Sequence, residues 1–318
     1  MGLAVNPTSG KGRGASEGAR AAEVLRARGI DVVDLVGADA ADLVLRVRAA
    51  LDPDVGGGLD ALVVVGGDGM VHIGTNAVAG TPTPLGIVAA GTGNDTARGL
   101  GLPIHDPDAA ARVVVAALAA GSTRAVDAAR VTSTARPQVP AAGPDPAATD
   151  GPRWFAGVLG AGFDAVVNER ANRMRRPKGR RRYDLAIALE LPVFTAREYG
   201  LCLDGVRHDT GAMLVAVANG QAYGGGMRVC PDALFDDGLL DVLVVEPISR
   251  LEFLRIFPRV FKGTHVTHPK VRIERAARVE ISSPGIVGYA DGERLMPLPV
   301  VIECVPAALR LLAPVPPG

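Results

Sequence analysis

The chain has 318 residues, 48% of them hydrophobic, with 34 Lys+Arg against 34 Asp+Glu and a formal net charge of +0 at pH 7. That length allows one large domain or two, and the neutral balance argues against a dedicated nucleic-acid binder, which carries a basic excess. Three separated cysteines, Cys202, Cys230 and Cys304, offer no Cys-x-x-Cys spacing, which predicts a reducing compartment and no structural zinc.

Gly2–Asn6 reads as a short apolar strand. Ala15–Arg28 reads as an amphipathic helix closed by Gly29, and Asp31–Val36 alternates as a second strand. Asp39–Leu51 predicts a helix, followed by a Pro/Gly loop over 53–58. Ala61–Val65 is a third strand; Val63, Val64 and Val65 leave it no polar face, as suits a buried parallel strand. A helix over Val71–Ala79, a strand over Leu85–Ala89 and a helix over Asp108–Ala120 follow. This alternation implies a mostly parallel sheet with helices on both faces. Beyond residue 124 short, turn-separated strands take over: 124–131, 153–160, 199–203, 212–218, 239–246, 270–274, 278–282 and 299–305. Asp204-Gly205 is a hairpin signal, and the whole reads as an antiparallel sandwich or barrel. Helical stretches near 163–172, 183–191 and 249–257 interrupt it, and the Pro/Ala/Gly-rich residues 133–152 predict a mobile surface loop. The N-terminus lacks the pattern of a signal peptide. No run reaches the roughly 20 apolar residues of a membrane helix, so membrane contact is expected to be peripheral.

Two glycine turns follow strands three and four. Gly66-Gly67-Asp68-Gly69 and Gly91-Thr92-Gly93-Asn94-Asp95 both fall at the carboxyl edge of the sheet, where open α/β sheets bind ligands. Glycine N–H groups approach a phosphate closely, and a helix opening after such a turn adds its dipole. A single turn of this kind is common; the pairing is informative. Asn6-Pro7-Thr8-Ser9-Gly10-Lys11-Gly12, after strand one, adds hydroxyls, N–H groups and a cation. Gly10-x-Gly12-x-x-Ala15 with Asp34 also fits a dinucleotide fingerprint, the rival reading of a nicotinamide-dependent oxidoreductase. The intervening Asn-Pro-Thr-Ser spoils the tight turn that fingerprint needs.

Later in the chain, Asp291-Gly292-Glu293 sets two carboxylates around a glycine. Such a group can take a proton from an alcohol during phosphoryl transfer, although Asp-Gly is also an ordinary hairpin turn. Pro231–Asp241 packs acids into a turn that suits Mg²⁺ or is simply solvated. Arg170–Arg182 is densely basic, and Leu251–Lys262 mixes Phe and Leu with Arg and Lys. Either could meet an anionic bilayer, or be a solvated face and a core-facing helix respectively.

Together these motifs resemble the bacterial diacylglycerol kinases and related lipid kinases, whose catalytic domain is shared with sphingosine and ceramide kinases. The resemblance runs from Ala4 to Pro306. It rests on NPTSGKG at 6–12, VVVGGDG at 63–69, PLGIVAAGTGNDTAR at 84–98, GFDA at 162–165, CPDALFDDGLLDV at 230–242 and YADGE at 289–293. YGGGM at 223–227 and ANRMRRPKGR make the actinobacterial diacylglycerol kinases the most similar subgroup.

The resemblance implies a nucleotide-binding α/β domain over 1–123, similar to NAD kinases and completed by 306–318. A C-terminal antiparallel β-sandwich that takes the lipid follows over 124–305. It implies ATP contacts at Asn6, Pro7, Thr8, Ser9 and Gly10, at Gly66, Gly67, Asp68, Gly69, Met70, Val71 and His72, and at Thr92; from the motifs themselves Lys11, Gly91, Gly93, Asn94 and Asp95 are expected to join them. Mg²⁺ ligands map onto Leu234, Asp237 and Leu239, and the general base onto Glu293, with Asp291 as the alternative. Asp68 would orient nucleotide or a metal-bound water. Met70 stands where the family has Thr, and Ile73 where many relatives have Glu; reduced nucleotide contact is expected from the first.

The expected activity is ATP-dependent phosphorylation of diacylglycerol to phosphatidic acid. Other lipid acceptors, an NAD kinase-like activity and a non-catalytic lipid-binding regulator are the alternatives. The expected partners are ATP, a lipid and an anionic membrane surface, with no nucleic acid and with a homodimer admitted. The expected location is the cytoplasm, at the inner face of the cell membrane.

Overall fold

The architecture comes from a computed structural model that describes residues 1–7, 12, 14–134, 151–174, 176 and 180–314. Residues 175 and 177–179 of the basic stretch, and all but the ends of the stretch 133–152 expected to be mobile, therefore lie outside the described residues. The chain divides into two compact units, Met1–Ala128 with Pro140–Ala156 and Val305–Gly318, and Ala129–Val139 with Gly157–Cys304.

In the first unit the elements run β1 (Gly2–Val5), α1 (Gly14–Arg26), β2 (Val33–Val36), α2 (Ala40–Leu51), α3 (Pro53–Gly56), β3 (Leu62–Gly66), α4 (Asp68–Val78), β4 (Leu85–Ala89), α5 (Asp95–Gly99) and α6 (Pro107–Ala120). The strands lie in the order β2-β1-β3-β4, all parallel, with Val5 beside Val65 and Val65 beside Val88. β3 and β4 are buried along their whole length, as strands covered on both faces must be. One core cluster joins Leu3, Val63, Val65 and Val88 to Ala21 and Leu25 of α1, Val114 of α6 and Leu312 from the end of the chain.

Local chemistry sets the ends of these helices. Asp39 and Asp106 accept from Asp42 N–H and Ala109 N–H, which caps α2 and α6. Part of the 53–58 segment, expected to be loop, is helical: Pro53 opens α3 with its φ already helical, and Asp52 caps it. α4 begins three residues earlier than the apolar pattern suggests, because the Gly67 carbonyl accepts from Met70 and Val71. Asp68 is thus the first helical residue of α4.

The second unit is antiparallel. β7 (Val158–Gly162), β10 (Leu214–Ala218), β11 (Leu240–Val245), β12 (Val271–Ala276), β14 (Val287–Ala290) and β15 (Glu293–Pro297) form one sheet in the order β12-β11-β10-β7-β14-β15. β8 (Arg197–Leu203), β9 (Val206–Ala212), β13 (Arg278–Ser282) and the first part of β16 (Val300–Leu311) form another. Tyr199 of β8, 2% exposed, donates to the Ala161 carbonyl of β7 and links the two. β9 escapes the apolar pattern because it is a polar edge strand, VRHDTGA, with few buried side chains. β5 (Arg124–Ser133) is the strand expected over 124–131, and the single strand expected over 153–160 is two: β6 (Arg153–Phe155) and β7, interrupted at Ala156-Gly157. α7 (Phe163–Arg173), α8 (Arg180–Glu190) and α9 (Arg250–Ile256) pack on the remaining apolar surface. No helix of the described residues is long and apolar enough to cross a membrane.

Candidate active site

In the first unit the two glycine turns touch. A Cβ on Gly91 would stand 2.3 Å from the Cα of Gly67, and one on Gly93 would stand 2.6 Å from Asp68 Oδ2. Only glycine permits that approach. The parallel register of β3 and β4 ends both strands at one level, and Ala90 donates across to the Gly66 carbonyl. Asp68 sits half-buried at the N-terminus of α4, where the helix dipole favours a negative charge. Its Oδ1 accepts from Thr96 N–H at 3.4 Å, so its carboxylate bridges the first turn to the helix that leaves the second.

Asn94, 1% exposed, takes the left-handed conformation with φ 55 and ψ 38. Its Oδ1 accepts from Gly91 N–H at 2.9 Å and its Nδ2 donates to the Gly91 carbonyl at 3.0 Å. Asp95 is buried and pairs with Arg98 Nη1 at 2.5 Å, while Arg98 Nη2 donates to the Gly93 carbonyl at 2.8 Å. Asn94, Asp95 and Arg98 thus build the second turn, which leaves Thr92 exposed at its tip. Met70, Val71 and His72 are buried along α4, so Met70 occupies core where a Thr would have offered a hydroxyl. Asn6 and Pro7 are half-buried at the end of β1. The expected contacts Thr8, Ser9, Gly10 and Lys11 lie outside the described residues. Asn76, further along α4, clamps β6: it accepts from Trp154 N–H at 2.9 Å and donates to the Trp154 carbonyl at 2.8 Å.

In the second unit the Asp291-Gly292 segment is a two-residue hairpin. Both residues have positive φ, 53 and 85, and Ala290 pairs with Glu293. This is the turn whose twist matches that of the strands. Asp291 is buried, and its Oδ1 accepts from Gly157 N–H at 3.0 Å and Val158 N–H at 3.2 Å. The break between β6 and β7 exposes those two donors. Asp204, in the other Asp-Gly hairpin, does the same for Ala277 and Arg278 N–H, at 3.1 and 2.8 Å. Glu293, by contrast, is exposed at the start of β15.

The same hairpin is braced against α7. Glu169 Oε1 accepts from Tyr289 Oη and Arg294 Nε, both at 2.8 Å. Burial works against the Glu169 charge, but these two donors and the Arg294 charge hold its carboxyl below the usual range. Burial, and then Glu169, push the Tyr289 hydroxyl up to about 12. Asp164 of the Gly-Phe-Asp-Ala segment is pushed up to about 6 by burial, although Tyr223 donates to it at 3.0 Å.

The acidic turn before β11 carries its own cation. Asp237 Oδ1 accepts from Leu239 N–H at 3.1 Å, and its Oδ2 is paired with Arg275. Arg275 lies directly opposite Asp241 on the β11–β12 ladder, its Nε 3.8 Å from Asp241 Oδ2. Burial, and then the Asp232 charge, push Asp241 up to about 6. No cluster of three or more His, Cys, Asp or Glu suited to a metal occurs among the described residues. A cation here would rest on the Leu234 and Leu239 carbonyls with the Asp237 carboxylate, hard oxygen donors of the kind Mg²⁺ takes. In this structure Arg275 occupies the Asp237 carboxylate.

Thr96, Arg98, Glu169 and Arg275 escape a reading of motifs alone. Arg98 had a signal, its spacing of three from Asp95 on a helix. Glu169 and Arg275 act across strands or from a distant helix, and nothing local marks them.

The two halves of the chain match two family models in turn. Residues 1–131 match the diacylglycerol kinase catalytic domain, and residues 157–313 match the YegS C-terminal NAD kinase beta sandwich-like domain. A diacylglycerol kinase of Mycobacterium tuberculosis is 42% identical over 238 residues, covering 74% of this chain and 71% of that protein. A probable lipid kinase YegS-like protein of Xanthomonas euvesicatoria is 28% identical over 240 residues, 72% of this chain and 69% of that one. The crystal structure of a Bacillus anthracis protein described as a candidate diacylglycerol kinase superposes with a TM-score of 0.74 at 22% identity, covering 98% of this chain and 94% of that chain. The chain belongs to the diacylglycerol kinase family of lipid kinases.

Proposed function

We propose that this chain transfers the γ-phosphoryl group of ATP to the free hydroxyl of diacylglycerol, giving phosphatidic acid and ADP. The observation that carries the reading is the backbone contact between the two glycine turns at the carboxyl ends of β3 and β4. It supplies clustered N–H groups beside the N-terminus of α4, an arrangement suited to phosphates. Family membership supplies the reaction class, and the Mycobacterium tuberculosis relative's name suggests the acceptor.

The new O–P bond forms as the bond to the β-phosphate bridge breaks, through a loose transition state in which positioning and charge neutralisation dominate. Glu293 takes the acceptor proton. The support for Glu293 over Asp291 is that both N–H groups bound by Asp291 Oδ1 are structural donors. Asn94, Asp95 and Arg98 keep the nucleotide turn in shape, and Asp68 orients nucleotide or a metal-bound water. Mg²⁺ accompanying ATP neutralises phosphate charge when bound. A second Mg²⁺, held by Leu234, Asp237 and Leu239, would be structural. The acceptor is a bilayer lipid, so the chain works at the inner face of the cell membrane.

Incubation of the purified chain with γ-labelled ATP and separate diacylglycerol, monoacylglycerol, ceramide, sphingosine and NAD tests the reading. Labelled phosphatidic acid as the main product is expected. A main product from another lipid would move the acceptor, and labelled NADP would move the chain toward the NAD kinases. For the structural cation, Mg²⁺ should raise the thermal midpoint of the wild type, and Asp237→Asn should remove that increment. An equal Mg²⁺ shift in the variant would take the cation away from this turn.

A further inference from the structure

The region from α9 onward carries two opposite faces. Phe253 and Ile256 point into the core of the second unit, while Leu251, Leu254 and Phe261 are 58%, 52% and 40% exposed. The six-residue 3₁₀ segment Phe257–Lys262 continues the pattern, so the exposed positions recur every three to four residues: Leu251, Leu254, Arg255, Pro258, Phe261, Lys262. Arg250, Arg255 and Lys262 are exposed beside the apolar residues. The acid in this stretch, Glu252, is turned to local work: it completes the capping box with Ser249 and lies 3.1 Å from His268. Arg259 is likewise committed, donating to the Thr264 carbonyl and Thr267.

α8 repeats the design. Leu185, Leu189 and Val193 are 39%, 45% and 63% exposed at a spacing of four, with Arg181 exposed one turn before them. The two elements cover one core. The ring of Phe163 lies 5.1 Å from Phe194, just after α8, and 5.1 Å from Phe253 of α9. The ladder then continues outward through Phe257 to Phe261.

A soluble surface does not ordinarily string large apolar side chains on two adjacent elements. An apolar stripe with Arg250, Arg255 and Lys262 exposed beside it is the pattern of a segment lying in a bilayer interface, with the rings and leucines in the acyl boundary and the cations at anionic headgroups. We propose that the exposed faces of α8 and of Arg250–Lys262 together form the surface by which this chain docks on anionic membrane. The proposal deepens the reading that the acceptor is a membrane lipid, and rests on it for its biological purpose, though not for its test.

The test is flotation of the purified full chain with vesicles of phosphatidylcholine, with or without phosphatidylglycerol. The wild type should float with the anionic vesicles and remain behind with the neutral ones. Leu251→Ser, Leu254→Ser and Phe261→Ser together should lower the bound fraction at least tenfold. Arg250→Gln, Arg255→Gln and Lys262→Gln together should remove the preference for anionic lipid. Both variants should retain the wild-type far-ultraviolet circular dichroism and wild-type turnover of a short-chain acceptor dispersed as monomers. Wild type that ignores anionic vesicles, or variants that float as well as wild type, would overturn the proposal. So would a change in the sedimenting mass of the serine variant without vesicles, which would make the stripe a contact between copies. Wild type that floats but labels no lipid would leave the docking surface standing and remove the kinase reading.

Discussion

Asp68→Ala is expected to lower phosphoryl transfer by roughly 10²–10³-fold, the order of cost of removing one preorganised polar group from an active site. Three features set the expectation. The carboxylate opens α4, it accepts from Thr96 N–H, and it lies against Gly93, so no other side chain can take its place between the turns. Asp68→Asn separates charge from geometry. Its amide oxygen can still accept from Thr96, so the turns should stay in register and the thermal midpoint should stay near that of the wild type, while turnover falls with the alanine variant. Turnover of labelled ATP with saturating lipid, read beside the melting curve, distinguishes the two. An asparagine variant at wild-type rate would leave Asp68 as a structural brace and move the nucleotide-directing charge elsewhere.

Glu293 and Asp291 should separate in the opposite sense, two residues apart. Glu293→Gln removes a proton acceptor from an exposed position and is expected to cost roughly 10²–10⁴-fold in turnover, with little change in ATP affinity or in melting. Asp291→Ala leaves the Gly157 and Val158 N–H groups without the carboxylate that both now use. Unpaired buried donors cost about 1–3 kcal/mol each, so the second unit should unfold at visibly lower urea. Activity measured well below that transition should fall less than in the glutamine variant. A full loss of turnover in Asp291→Asn with unchanged melting, beside an active Glu293→Gln, would transfer the base to Asp291.

The contrast between these carboxylates shows where motif reading stops. YADGE puts two acids in one turn, and the family resemblance points at the motif as a whole. What assigns the positive φ of Asp291 and Gly292 is the two-residue hairpin. What commits the Asp291 side chain is a strand break more than 130 residues away, at Gly157. Asn94 is similar: its place in GTGND predicts a ligand contact, and only the fold shows that its amide also closes the turn on Gly91. Met70 is a departure that sequence could flag but not interpret; only its burial along α4 explains how the position tolerates a long apolar side chain.

By itself the sequence determined the parallel α/β first half, the antiparallel second half, the two glycine turns and the membership of a lipid-kinase family. Those are local properties: β-branched runs, glycine at turns and helical spacing act over a few residues, where the chain's own covalent geometry decides the outcome. Tertiary structure alone decided which acids are braces, that Arg275 sits on Asp237, and that leucines of α8 and α9 face outward. Those outcomes depend on hydrogen-bond donors and packing surfaces that distant segments deliver, and a carboxylate or a leucine carries no local mark of which partner will reach it.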